Sequence, residues 1–143
     1  MASYTLIEGN TYTDERGAVS FLNSFDLTEI IRMYEIVPNN QTLIRAWQGH
    51  KNEKKWFYCT QGSFIINLVQ VPSFEQPSQD LKTDKIVLSA TNPNILAITG
   101  GYATGIKAIE PNSKLLVYSN FTVEQSKNDD FRFDPNYWKA HWE

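Results

Sequence analysis

Hydrophobic positions along this chain gather in short runs between turn-forming clusters, which is the pattern of strands rather than helices. Residues 65–71 (IINLVQV) are rich in β-branched side chains and lie between Gln61-Gly62 and Pro72. Residues 56–60 (WFYCT) are equally strand-like, so the two runs predict a hairpin turning near Gly62. Residues 85–88, 95–98, 104–109 and 115–119 continue the series, punctuated by Thr91-Asn92-Pro93-Asn94, Gly100-Gly101 and Pro111-Asn112-Ser113. Short strands so regularly spaced predict an all-β sandwich or barrel. Residues 26–34 begin with a helix-like cap at Asp26 but run into Met33-Tyr34-Glu35-Ile36-Val37, and their second half reads as strand. Residues 72–84 are polar, carry Pro72 and Pro77, and read as a loop or a short turn of helix. The tail, residues 134–143, carries Tyr137, Trp138 and Trp142 and reads as a short helix packed on the body. No repeat or low-complexity segment interrupts this order.

Composition narrows the picture without changing it. A length of 143 residues fits one domain over residues 1–143, and 13% aromatic residues supply bulky surface for its core. A formal net charge of −3 opposes nucleic-acid binding, which calls for a basic patch or stripe. Cys59 is the sole cysteine, so an intrachain disulfide is impossible and a reducing compartment fits. The opening MASYTLIEGN has neither a basic start nor an apolar stretch, and no run approaches the ~20 apolar residues of a membrane span. The expectation is a cytoplasmic domain with no nucleic-acid or membrane partner.

Two segments carry candidate chemistry. One is Arg45-Ala46-Trp47-Gln48-Gly49-His50-Lys51, followed by Glu53, Lys55 and Gly62; the other is Gly100-Gly101-Tyr102-Ala103-Thr104-Gly105. Together they resemble the signature segments of the cupin superfamily, double-stranded jelly rolls. In metal-binding members the resemblance implies a His-x-His pair and a Glu from the first segment and one His from the second. Gln48 and Thr104 occupy two of those positions here, leaving His50 and Glu53. Two neutral oxygen side chains make a poor donor set for zinc or iron, so neither metal nor another cofactor is expected.

A closer resemblance, covering Asp14 to about Trp138, is to the dTDP-4-dehydrorhamnose 3,5-epimerases and the sugar 3,4-ketoisomerases of that superfamily. Asp14-Glu15-Arg16-Gly17 resembles the family's Asp-x-Arg-Gly, which implies nucleotide-sugar binding by Arg16. The segment from Arg45 to Lys51 is similar to the ketoisomerase Arg-Gly-x-His-Ala-His-Lys, and Lys55 stands where epimerases carry a substrate-facing Lys. Gly101-Tyr102-Ala103-Thr104-Gly105 resembles the epimerase Gly-Phe-Ala-His-Gly, and Tyr118 stands where epimerases place a catalytic Tyr. Asp129-Asp130-Phe131-Arg132 resembles the ketoisomerase Asp-Tyr-Ile-Arg. The resemblance implies a homodimeric jelly roll acting, without cofactor, on a nucleotide-diphosphate 4-keto-6-deoxy sugar, dTDP-linked, in deoxysugar or cell-surface polysaccharide synthesis.

That chemistry explains the residue types. A carbon beside a ketone holds a weakly acidic C–H, so a base must reach the proton and a donor must stabilise or reprotonate the enolate. The epimerase base falls on Gln48, whose amide accepts no proton at neutral pH. His50 is the imidazole nearby and becomes the candidate base, with Tyr118 as the acid. Positions 48 and 50 share one face of a strand, with His50 expected ~6–7 Å nearer the barrel mouth and so aimed at another carbon. Arg16, Arg45, Lys51 and Lys55 supply cations for a pyrophosphate, Trp47 a surface for a base or sugar, and Gln48, Tyr102 and Thr104 further substrate contacts. Plainer roles stand beside these: His50 as a structural strand histidine, Tyr118, Trp47 and Trp56 as core, residues 51–55 as a solvated edge. Cys59 reads as a small core residue and His141 as a surface or packing residue. The alternative function is a sugar-nucleotide-binding cupin that has lost its base.

Overall fold

The structure, a computed structural model, describes residues 2–143. Three strands open the chain: β1 (Tyr4–Glu8), β2 (Asn10–Asp14) and β3 (Gly17–Phe21). Eight more follow: β4 (Arg32–Ile36), β5 (Arg45–His50), β6 (Lys55–Gln61), β7 (Ser63–Gln70), β8 (Thr83–Ser89), β9 (Asn94–Ile98), β10 (Tyr102–Ala108) and β11 (Lys114–Ser119). A short helix α1 (Val123–Lys127) and the two-residue strand β12 (Phe131–Arg132) complete the order.

The pairing of β4 to β11 is nested. β7 pairs β8, β6 pairs β9, β5 pairs β10 and β4 pairs β11, all antiparallel. One long double ribbon is thus wound on itself, giving two five-stranded sheets ordered β1-β9-β6-β11-β4 and β12-β5-β10-β7-β8. This is the jelly roll expected of the sequence. Alternation along each strand then sorts the side chains: Phe57, Phe64, Ile66, Leu68, Leu96, Leu115 and Val117 turn inward and fill the space between the sheets. No helix among the described residues is long and apolar enough to cross a membrane.

Two expectations are corrected. The runs on either side of Gly62 do not form a hairpin. Gly62 does turn the chain, with φ of +70°, a conformation suited to glycine, but β6 and β7 belong to opposite sheets. Each already has both edges occupied, β6 by β9 and β11, β7 by β8 and β10. The tail is likewise not a helix. Its carbonyls are taken by side chains of the sheet beneath: His141 accepts from Asn67 Nδ2, Lys139 from Thr83 Oγ1 and Trp142 from Lys107 Nζ. An extended strap satisfies these donors, whereas a helix would turn the same carbonyls on itself. The packing expected of it is present, with Trp138 buried against Trp47, Val69, Val71 and Ala103 on the outside of the second sheet. The regular helix lies earlier, at α1, closed by a capping box between Thr122 and Gln125.

Residues 26–31 form turns and β4 begins at Arg32, in keeping with a strand in the second half of that segment. Residues 72–82 form a loop. β2 and β3, unforeseen, pair among the described residues only with each other, in an exposed two-stranded ribbon.

Candidate active site

A cavity of about 440 Å³ opens between the sheets, a size suited to a small-molecule ligand. Inward-facing positions of four neighbouring strands build its wall: Tyr34 and Ile36 from β4, Arg45 and Gln48 from β5, Lys55 and Phe57 from β6, Thr104 and Ile106 from β10. Arg132 of β12 and Phe133 close one side. The register explains the grouping, because Thr104 stands opposite Gln48 and Tyr34 opposite Val117, whose other neighbour is Phe57. Arg45, Lys55 and Arg132 bring three cations to one cavity, and Lys55 is only 3% exposed. Its ammonium and the Arg32 guanidinium lie 5.7 and 5.2 Å from the Tyr34 ring centre, within cation–π range.

His50 follows Gln48 on the same face of β5, as the two-residue spacing requires, and stands opposite Tyr102. It is buried, and it lies on the far side of Gln48 from Arg45. The expectation that it sits nearer the mouth is therefore reversed: the cavity opens at the Arg45 end of β5 and His50 lies deeper. Its Nδ1 is 2.7 Å from the Asp129 carbonyl and 3.4 Å from Glu53 Oε1. Both neighbours are acceptors, so Nδ1 carries the proton and Nε2 keeps the lone pair. That Nε2 is fully buried and has no hydrogen-bond partner among the described residues. Burial, and then the charge of Lys55, lower the His50 pKa; the Asp129 carbonyl and the charges of Glu53 and Asp129 act the other way. The ring is neutral at pH 7, with a bare lone pair.

Glu53, beside it, is satisfied on every side. Oε2 accepts from Arg32 Nη2 at 3.0 Å and Ser119 Oγ at 2.5 Å, while Oε1 accepts from Ser126 Oγ at 2.7 Å. The Asp129 carboxylate accepts from the backbone N–H groups of Lys51, Asn52 and Glu53 at 2.7–2.8 Å. Gln48 donates to Asp130 Oδ1, which also takes the Arg132 Nε–H. Burial acts to raise the Asp130 carboxyl, but those two hydrogen bonds, together with the charge of Arg132, hold the group below its ordinary range.

Gln48, Arg45, Lys55 and Thr104 therefore meet in one cavity, with His50 behind them; of the remaining candidates only Trp47 reaches its wall. Tyr118 corrects the sequence reading most sharply. Leu115, Val117 and Ser119 are the inward side chains of β11, so Tyr118 points out of the roll, where its ring packs on Phe25 at 5.5 Å. Arg16 sits at the tip of the β2–β3 ribbon, its side chain 81% exposed and paired with Asp14. Lys51 borders a separate hollow with Phe74 and Gly101. Tyr102 is buried edge-on against Tyr4, inside the core. Trp47 touches the cavity wall, but its ring lies against Trp138 and Trp142 and its Nε1 donates to the Pro135 carbonyl. It is core, not a stacking platform.

Tyr34 and the supporting part of Glu53 were missed. Tyr34 lies in the alternating stretch Arg32-Met33-Tyr34-Glu35-Ile36, and that period of two could have placed it inside with Arg32 and Ile36. Nothing local signals that Glu53 meets Ser119 and Ser126, 66 and 73 residues away.

No protein-family model and no curated protein sequence matches the chain. Solved structures do. The chain is similar to the 3,4-ketoisomerase QdtA of Thermoanaerobacterium thermosaccharolyticum, a mutant of it solved with TDP-4-keto-6-deoxyglucose, at 20% identity and a TM-score of 0.71 over 94% of this chain and 90% of that one. It is similar to the Mycobacterium tuberculosis rmlC epimerase at 15% identity and a TM-score of 0.75, over 96% and 73% of the two chains. It is also similar to ChmJ, a 3'-monoepimerase from Streptomyces bikiniensis solved with dTDP-quinovose, at 11% identity and a TM-score of 0.75, over 92% and 70%. The shared architecture is the double-stranded jelly roll.

Proposed function

We propose that this cupin-fold protein is an isomerase of nucleotide-diphosphate 4-keto-6-deoxy sugars, using His50 as base and no metal or other cofactor. The observation that carries the reading is the buried, partnerless His50 Nε2 lone pair, with Lys55 beside it on the wall of a cation-lined cavity. A buried acceptor left bare costs stability, and a base awaiting a carbon acid accounts for it. Arg45 and Arg132 suit the pyrophosphate, and the Lys55 ammonium suits the oxyanion of the enolate. The TDP- and dTDP-sugar ligands of the similar ketoisomerase and monoepimerase support a substrate of this class.

The reaction that fits best is 3,4-ketoisomerisation. His50 removes the C3 proton, the resulting enediolate carries its charge beside Lys55, and the imidazolium, its ring proton exchanged with solvent, delivers a proton to C4 while the oxygen proton passes from O3 to O4. Epimerisation at two carbons calls for an acid on the opposite face, and Tyr118 is turned away from the cavity. The test is incubation of dTDP-4-keto-6-deoxyglucose with the protein in deuterium oxide. The expected result is migration of the carbonyl to C3 with deuterium entering at C4. Deuterium at C3 and C5 with the carbonyl still at C4 would mean epimerisation, and no exchange would leave the binding module.

The ribbon supports a homodimeric assembly. A lone two-stranded hairpin is marginal in water, and β2–β3 exposes the facing pair Tyr12 and Val19 at 61% and 62%. A cytoplasmic homodimer, in which the ribbon and Arg16 lie against the partner copy, accounts for both features.

A further inference from the structure

We propose that Glu53 and Asp129 are positioning residues for His50: they fix which ring nitrogen carries the proton and balance the charge the ring gains on taking a proton from the sugar. The catalytic consequence rests on the isomerase reading; the placement of the proton does not.

The argument begins with acceptors. The Asp129 carbonyl and Glu53 Oε1 both face Nδ1, at 2.7 and 3.4 Å. A lone pair on Nδ1 would oppose two oxygens, so the Nδ1–H tautomer is enforced and Nε2 is left as the acceptor. Both acceptors are themselves fixed. The Asp129 carboxylate holds the backbone of residues 51–53, which ties its own carbonyl to the end of β5. Glu53 is held by Arg32 from β4, Ser119 from β11 and Ser126 from α1. The cluster thus fastens α1 and the approach to β12 onto the strand that carries the base. The groups that act on the charge of His50 are Lys55 from β6, Glu53 from the loop before it, and Asp129 and Asp130 ahead of β12; Arg32 acts through Glu53. Lys55 opposes a proton on the ring and the carboxylates favour it. Proton abstraction makes an imidazolium, and Glu53 is the carboxylate placed to meet it.

The chain has two histidines, so ¹⁵N-edited NMR resolves the ring of His50, with His50→Asn as the assignment control. The expected spectrum of the protein shows Nδ1 protonated and Nε2 bare at pH 7.5. Glu53→Gln should lower the His50 pKa by about one unit, a tenfold loss of proton affinity, and lower kcat more than it changes KM. Ser126→Ala frees Oε1 for the imidazolium and should shift the same titration upward. Opposite shifts from two partners of one network are not what loss of packing gives. Should Glu53→Gln leave Arg32 unpaired and fail to fold, Ser126→Ala carries the test alone. An Nε2–H tautomer in the parent protein, or a His50 titration that Ser126→Ala leaves in place, would overturn the positioning role. A parent protein that converts no dTDP-4-keto sugar yet shows the tautomer and the shifts would defeat only the isomerase reading.

Discussion

Protonating His50 inside the fold puts a cation beside Lys55 at a buried position, and this ties stability to pH. The folded state holds the imidazole below its ordinary 6.5, so on acidification the unfolded chain takes up its proton first. Between the two pKa values the unfolded state binds more protons, and stability falls as pH falls. The contribution is complete above pH 6.5 and drains away below it. Asp14, Asp26 and Asp130 are held low instead, so their losses begin only from about 3.8 downward. Urea midpoints measured from pH 7.5 to 5 should therefore decline for the parent protein and stay flatter for His50→Asn; equal slopes would remove His50 as the cause. At the mouth, Arg45 is exposed and makes no ion pair among the described residues. Losing one charge-assisted bond there should weaken binding of a dTDP-sugar by roughly 1.5 kcal/mol, about tenfold in Kd. Calorimetry on Arg45→Ala that finds the parent's Kd would take Arg45 out of the site.

At the scale of elements, what is legible in a sequence is what local period encodes. The runs of β6 to β11 announce themselves because their inward and outward neighbours are both apolar or β-branched, and β7 is buried on both faces. Which strand each one joins is not local. Gly62 marks a turn equally well whether the next strand pairs with the last or crosses to the other sheet. The site divides the same way. Gln48, His50 and Thr104 share an interior because spacing and register put them there. Tyr118 was misplaced because a motif match fixes position along the chain but not the face of the strand, which Leu115 and Val117 decide by filling the core. The tail misled through its aromatics, which suit a packed strap as well as a helix. Its anchor is Trp138, 1% exposed, stacked edge-on against Trp47 and donating Nε1–H to the Ser78 carbonyl at 2.7 Å. Trp138→Ala should cost about 3–5 kcal/mol, a large part of a domain's stability. A loss under 1 kcal/mol in chemical denaturation would mean that the strap packs without stabilising.

For the whole molecule, the jelly roll leaves one element without a hydrophobic home. β4 to β11 close a core between two sheets, and β1 joins that core through β9, but among the described residues the β2–β3 ribbon pairs with no third strand. Its register pairs Tyr12 with Val19, and Thr11 with Ser20 through a 2.9 Å hydroxyl bond, so one face is apolar and the other polar. Such a ribbon gains little from folding alone; covering Tyr12 and Val19 with a second copy would remove roughly the area that two buried side chains need to hold it. Ribbon and tip belong together, since Asp14 and Arg16 lock the turn through both a backbone and a guanidinium hydrogen bond. If a dimer forms through this ribbon, Tyr12→Ser with Val19→Ser should give a monomer by sedimentation equilibrium while the far-UV spectrum and the thermal transition of the roll persist. The cavity's own residues are untouched by this change, so His50 should keep its titration in the monomer. Affinity for a dTDP-sugar should fall if Arg16 serves the partner's cavity and hold if it does not. A double variant that remains a dimer would place the interface elsewhere and leave Arg16 a solvated turn residue.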